Sequence, residues 1–266
     1  MLVLPFKSKC IKKIISELDD SKQPGLDGIR ARDLKLLKDK ISKIITKLVN
    51  ISLVTGQVPN NLKISIVRPV NKKGDHLLLS NYRPIAIMCV IEKIIERCIY
   101  LKLTNYLQQH GIINKFQYGF QKNKSTSDLL SLFSNYVNSK LNDNHHIVAL
   151  FVDFSKAFDT INHEKLIIAL ENAGVRGPML TWFCNDLLNR HYLVKVGFNY
   201  SFKMPYNHGV PQGSILGPVL YLIYVNSMIE NLKKCQSYMY ADDTVLMSSH
   251  KDIVVAERRL LNDFNN

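Results

Sequence analysis

Two stretches of this chain carry apolar, strand-forming runs onto carboxylates, and that arrangement restricts the folds open to it. His146 to Asp153 sets Ile-Val-Ala-Leu-Phe-Val before its acid, a run with the length and composition expected of a buried strand. Ser237 to Met247 reads as a strand pair interrupted by Ala241-Asp242-Asp243. Adjacent carboxylates repel one another, and apolar neighbours make their burial costly, so a cation is the natural compensation. Mg²⁺ suits such a set, because it takes a few carboxylate oxygens and completes its shell with substrate phosphates. Two such ions support in-line phosphoryl transfer, one activating the attacking hydroxyl and the other steadying the pyrophosphate leaving group. An ordinary Asp-Asp turn is the plain alternative, and composition does not show that the two segments meet in space.

The remaining pattern is mixed. Helical spacing covers Lys9 to Leu18, Asp33 to Leu53 (ending at Gly56), and Ile87 to His110, closed by Gly111. Ser125 or Thr126 caps a further helix running to Leu141, and others are expected at His163 to Asn172, Pro178 to Asn189 and Lys251 to Leu260. Strands are expected at Lys63 to Val70, Tyr82 to Ile85, Tyr192 to Val196 and near Tyr200 to Met204, with Asn71 to Asp75 as a basic hairpin loop. Ser214 to Ile229 reads as a buried helix entered through Gly209-Val210-Pro211-Gln212-Gly213. The class is α+β. Glu92, Lys93, Glu96 and Arg97 look like the solvated face of a helix. Asp159 reads as structural, and His145, His146, His163 and His208 are not spaced as metal ligands.

With 35 Lys and Arg against 22 acidic residues, the net charge is +13, which favours a polyanionic partner. The five cysteines are scattered without a C-x-x-C pair, arguing against zinc or a disulfide framework and for a reducing, intracellular setting. The apolar run in Met1 to Cys10 is too short for a signal peptide. That in Ile215 to Val225 is too short to span a bilayer, so the sequence reads as a soluble chain with no membrane partner.

Six motifs, in order, resemble those of the reverse transcriptases of non-LTR retrotransposons, particularly jockey-like and CR1-like elements. They are Pro24-Gly25-Leu26-Asp27-Gly28, Asn81-Tyr82-Arg83-Pro84-Ile85, Gln117-Tyr118-Gly119-Phe120 followed by Ser125-Thr126, Phe151 to Asp159, Gly209 to Pro218, and Tyr240-Ala241-Asp242-Asp243. The resemblance implies a polymerase right hand, with fingers over residues 1–142 and a palm over 143–266 built on an antiparallel sheet with flanking helices. It implies RNA-directed DNA polymerisation with an RNA template, a DNA primer and dNTPs, using two Mg²⁺ ions that Mn²⁺ can replace, and it implies a nuclear setting.

The same resemblance assigns roles. Asp153 and Asp242 would be the main metal ligands, with the Phe154 carbonyl assisting and Asp243 nearer the periphery. Lys72 and Arg83 would hold the incoming triphosphate, and Phe158 would lie under the sugar and exclude a 2′-hydroxyl. Gln212 would contact nucleotide or template, with Gly209, Pro211 and Gly213 shaping the backbone around it. Each has a plainer reading: a solvated hairpin tip for Lys72, a surface ion pair for Arg83, a core aromatic for Phe158, and a simple turn for Pro211-Gln212-Gly213.

Gln121, Asn71, Ser227 and Ala86 depart from residues frequent in the family, and none is a proposed ligand. Set against the family's pattern, the resemblance leads to the expectation of a fragment, with the last palm motifs and thumb beyond Asn266 missing and the endonuclease absent upstream of Met1. Two alternatives stay open: an inactive remnant that only binds nucleic acid, and an intron-maturase-type reverse transcriptase.

Overall fold

The periodicities above become a mixed α and β structure in the computed structural model, which describes residues 5–229 and 232–265. The first four residues of the N-terminal run weighed as a signal peptide lie outside the described residues. In chain order the elements are α1 (Ser8–Ser16), α2 (Ala31–Leu36), α3 (Lys38–Thr55), β1 (Ile64–Asn71), β2 (Tyr82–Ile87), α4 (Val90–Gln109), α5 (Thr126–Asn142), β3 (His146–Val152) and α6 (His163–Asn172). There follow α7 (Pro178–Leu187), β4 (His191–Val196), β5 (Asn199–Tyr200), β6 (Met204–Pro205), α8 (Gly217–Asn226), β7 (Gln236–Tyr240), β8 (Asp243–His250) and α9 (Ile253–Phe264). They form two compact units, Met1–Gln109 with Phe158–Gly217, and His110–Ala157 with Pro218–Asn266. Among the described residues no helix is long and apolar enough to cross a membrane.

In the first unit, α3 buries Ile45, Val49, Ser52 and Leu53 at helical spacing. The single helix expected from Asp33 is broken at Leu37, which caps both α2 and α3. Apolar spacing continues across the break, from Leu34 to Ile45 and Val49, so periodicity does not reveal it. Gly56 ends α3 with φ 67°, in the left-handed region that suits glycine. The buried Trp182 of α7 donates its indole N–H to Ser52 Oγ at 2.9 Å, and Asn185 Oδ1 accepts from the Val58 amide at 2.7 Å. The sheet runs β2-β1-β4-β5, with β6 also on β4; β1 and β2 are antiparallel, β1 and β4 parallel. Because Asn71 pairs with Tyr82, the loop between β1 and β2 is longer than the Asn71–Asp75 turn expected.

Of the four residues expected on a solvated helix face, Lys93 and Arg97 are half-buried and the two glutamates are buried. Glu92 and Glu96 of α4 are each 2% accessible. The buried Arg190 guanidinium bonds Glu92 and, at 2.7 Å, Asp186 Oδ1. Glu96 accepts from Ser214 Oγ at 2.6 Å and from the Ile215 amide at 2.8 Å. Buried carboxylates demand such partners. Burial, helped by the nearby Glu92 and Asp186 charges, pushes the Glu96 pKa up to about 8.

The second unit is a three-stranded antiparallel sheet, β3-β8-β7, packed against α5 and α9. Met239, Leu246, Met247, Ala256 and Leu260 are buried, and Tyr238 meets the rings of Phe116, Phe133 and Tyr136. Ser125 caps α5 as expected, in a reciprocal capping box with Asp128. The strand at His146 is not buried as its composition suggested: β3 is an edge strand paired only with β8, and Phe151 is 73% exposed. A short apolar run looks the same on a covered strand and on an edge.

The raised Glu96 pKa fixes the sign of a pH effect. A carboxyl whose folded pKa lies above its unfolded value near 4.5 withdraws stability as pH rises from about 4.5 towards 8. Burial of His163 lowers its pKa and works oppositely, so the test is a comparison of variants. Glu96→Gln is expected to lose less Tm between pH 5.5 and 8.5 than the parent protein; an equal or larger loss in calorimetry would contradict the assignment.

Candidate active site

The carboxylates come together through strand register. Val152, the last residue of β3, pairs with Thr244 of β8, and Tyr240 of β7 pairs with Asp243. Ala241 and Asp242 are therefore a two-residue turn between β7 and β8. Asp153 directly follows Val152, so Asp153, Asp242 and Asp243 all lie at the same end of this sheet. Asp153 and Asp243 are exposed, while Asp242 and Phe154 are half-buried.

This turn is held from outside the strands. Ala241 adopts φ 58°, a left-handed conformation unusual for a residue with a side chain. The buried Gln117 side chain spans its peptide groups: Oε1 accepts from the Ala241 amide at 2.9 Å, and Nε2 donates to the Ala241 carbonyl at 3.2 Å. The same Oε1 accepts from the Gly119 amide at 2.8 Å. A Cβ on Gly119 would lie 2.1 Å from the Ala241 nitrogen, so only glycine permits this approach. The Tyr118 amide donates to Met239 O at 2.8 Å and the Met239 amide to Phe116 O at 3.1 Å, continuing the brace along β7. Tyr221 of α8 lies in the field of the pair, its phenol pKa raised first by burial and then by the Asp242 and Asp243 charges.

The other expected site residues belong to the first unit. Lys72 and Arg83 are exposed; Arg83 pairs with Val70 in the β1–β2 hairpin, and the Lys72 amide donates to Asn81 O at 2.8 Å. Gln212 donates its amide to both oxygens of Asp159, each at 2.9 Å, and its own carbonyl accepts from the Ala86 amide at 2.7 Å. A Cβ on Gly213 would meet Ala86 O at 2.5 Å, and one on Gly209 (φ 79°) the Phe158 and Asp159 carbonyl oxygens at 2.7 Å. The Val210 amide donates to Phe158 O at 2.9 Å, and the Gly209 carbonyl lies 2.7 Å from His163 Nε2. Buried Pro211 accepts from the Ser214 amide at 3.0 Å, and Ser214 Oγ in turn accepts from the Leu216 and Gly217 amides at the start of α8. The loop carrying Gln212 is thus clasped by Asp159, His163, Ala86 and Glu96. Lys72, Arg83, Phe158 and Gln212 belong to the first unit, and Asp153, Phe154, Asp242 and Asp243 to the second.

Sequence reasoning passed over Gln117 and Gly119 as bracing residues, Tyr221, and Glu96. Gln117 and Gly119 were visible only as part of a matching motif, with nothing to indicate that they support the Ala241 turn. Among the described residues no group of three or more His, Cys, Asp or Glu side chains is drawn together tightly enough to hold a metal. In kind, the donors do fit Mg²⁺, which needs only one or two carboxylates when phosphates and water complete its shell. Asp153 and Asp243 are open to both.

Comparison with known proteins agrees with this architecture. The family model for reverse transcriptase (RNA-dependent DNA polymerase) matches residues 70–265. Similar proteins include the RNA-directed DNA polymerase from mobile element jockey of Drosophila melanogaster, 29% identical over 92% of this chain and 28% of the relative. The probable RNA-directed DNA polymerase from transposon BS of the same species is 26% identical over 93% of this chain and 28% of the relative. The Pol polyprotein from type-1 retrotransposable element R2 of Popillia japonica is 22% identical over 85% of this chain and 32% of its own length. The chain spans roughly 28–32% of the length of these curated relatives. Reverse transcriptases generally use divalent metal ions and act on a nucleic-acid template, a primer and nucleotides. The chain belongs to the reverse transcriptase (RNA-dependent DNA polymerase) family.

Proposed function

We propose that this chain supplies the fingers (residues 1–142) and palm (residues 143–266) of an RNA-directed DNA polymerase that extends a primer 3′-hydroxyl with dNTPs. The observation that carries the reading is the gathering of Asp153, Asp242 and Asp243 at one sheet end, with Gln117 bracing the turn between them. Asp153 and Asp242, with the Phe154 carbonyl and more peripherally Asp243, are the groups that would hold two Mg²⁺ ions, or Mn²⁺ in their place. When bound, those ions supply activation of the 3′-hydroxyl and neutralisation of the pyrophosphate.

The protein's own groups do the remaining work. Arg83 offers a planar fork and Lys72 a mobile ammonium to different triphosphate oxygens. Both project from the β1–β2 hairpin, and neither is held in an ion pair among the described residues. Asp159 occupies both oxygens with the Gln212 amide, which fixes the orientation of that side chain. Gln212 then presents a pre-set contact to nucleotide or template. Phe158, five residues after Asp153, is the aromatic that would lie under the sugar and exclude a 2′-hydroxyl. Gly209, Pro211 and Gly213 hold the loop backbone close to its neighbours. The RNA–DNA product would be recognised by backbone and A-like shape.

Primer extension on poly(rA) with oligo(dT), dTTP and Mg²⁺ or Mn²⁺ tests the reading. Asp242→Ala is expected to lower incorporation by on the order of 10²–10³-fold, because a centre that stabilises developing charge is removed. Undiminished incorporation would remove Asp242 from the site, and no incorporation by a folded parent chain would favour a remnant that only binds nucleic acid. Gly119→Ala should abolish extension by displacing the Ala241 turn while far-ultraviolet circular dichroism stays unchanged; full activity would refute the brace. Asp159→Ala frees the Gln212 amide and should raise KM for dTTP by about tenfold, with a smaller change in kcat. An unchanged KM would show that Gln212 does not meet the nucleotide.

A further inference from the structure

The first unit carries a narrow β-ribbon whose surface is not accounted for by polymerisation. β4 turns at Gly197-Phe198 into β5, with Lys195 opposite Tyr200 and Val196 opposite Asn199. Gly197 takes φ 60°, as a two-residue hairpin turn requires. The chain returns through Phe202 and Lys203 to β6, where Met204 pairs with Tyr192 and Pro205 with His191.

The stem is well tied. The Ser201 amide donates to Val194 O at 2.9 Å, the Val194 amide to Ser201 Oγ at 2.9 Å, and the Tyr206 amide to Arg190 O at 2.8 Å. Tyr192 and Tyr206 meet edge to face with ring centroids 5.5 Å apart.

What this stem presents is apolar and cationic. Phe198 is 97% exposed and Phe202 91%, with Val196, Tyr200 and Met204 also exposed beside them. Lys195 Nζ lies 4.8 Å from the Tyr200 ring centroid, and Lys203 is exposed next to Phe202. From residue 187 to residue 229 the sequence contains no Asp or Glu. Aromatics left almost wholly in water on a tied ribbon mark a surface that meets a partner. Lysines interleaved with them, and no carboxylate, select a partner that has flat π-faces and repeated negative charge.

We propose that the β4–β6 ribbon is a binding element for single-stranded RNA: Phe198 and Phe202 stack on unpaired bases while Lys195 and Lys203 meet the flanking phosphates. Every base has a π-face, so the element reads strandedness and not sequence. Duplex RNA keeps its bases stacked inside and offers these rings nothing. The role needs neither metal nor dNTP, so it stands or falls separately from the carboxylate assignments.

The full chain is titrated, without metal or nucleotide, against a fluorescein-labelled single-stranded RNA 12-mer and the corresponding duplex. Fluorescence anisotropy is expected to show Phe198→Ala/Phe202→Ala binding the single strand about tenfold more weakly than the parent, with duplex binding unchanged. Both positions are exposed, and circular dichroism should confirm an unaltered fold. Trp182, the one tryptophan, is buried, so Phe198→Trp adds a local reporter. Its emission should be quenched saturably by the single strand and little by the duplex. An unchanged Kd in the double variant, or no quenching of Phe198→Trp, would overturn the proposal. So would sedimentation showing a parent dimer that the double variant converts to monomer, since the ribbon would then join copies of this chain.

Discussion

Adjacent carboxylates repel, so a chain that needs them at fixed positions must hold their backbone by something other than the carboxylates themselves. Here that task falls to Gln117. Its side-chain amide satisfies the N–H and the carbonyl of Ala241, fixing a left-handed residue at the head of the Asp242-Asp243 step. A non-glycine residue in that region persists only when its surroundings over-determine it. The missing Cβ of Gly119 and the β7 bonds from Tyr118 and to Phe116 complete that over-determination. The β3–β8 register then leaves Asp153, one residue beyond Val152, at the same end of the sheet as the pair.

The first unit solves a comparable problem with the same kind of contact. The loop from Gly209 to Leu216 has little regular structure of its own, yet each segment is bonded to a side chain or backbone far away in sequence. Asp159 orients Gln212, the Ala86 amide donates to its carbonyl, His163 meets Gly209, and Glu96 accepts from Ser214 and Ile215. Glu96 can do so only from inside the core, where Arg190 and Asp186 share the buried charge with Glu92. A buried carboxyl makes a stiff anchor, because losing either hydrogen bond would leave a polar group unpaired in a low-dielectric interior. The pH dependence of that anchor is the consequence of the same burial.

Local chemistry made much of this legible in advance. The ends of α3, α4 and α5 follow Gly56, Gly111 and the Ser125–Asp128 box, because caps and left-handed glycines act within a few residues. The Tyr240–Asp243 hairpin announces itself by two strand patterns around a polar turn. Helix-face reasoning failed at Glu92 and Glu96, since a charged residue buried beside an arginine is spelled like one facing water. It failed also at Phe151, whose apolar run does not say which side of the sheet is covered. Asp159 looked like a local cap; its partner, Gln212, is 53 residues away.

The element types, the family to which the chain belongs and the carboxylates that stand at strand ends are all written in residue chemistry and short-range order. Tertiary structure decided which of those residues are neighbours and what keeps them there. Gln117 reaches Ala241 across 124 residues and Glu96 reaches Ile215 across 119. Contacts at that separation leave no periodic trace in the chain, since each is made by a single hydrogen-bonding side chain whose partner is chosen only when the core closes around both.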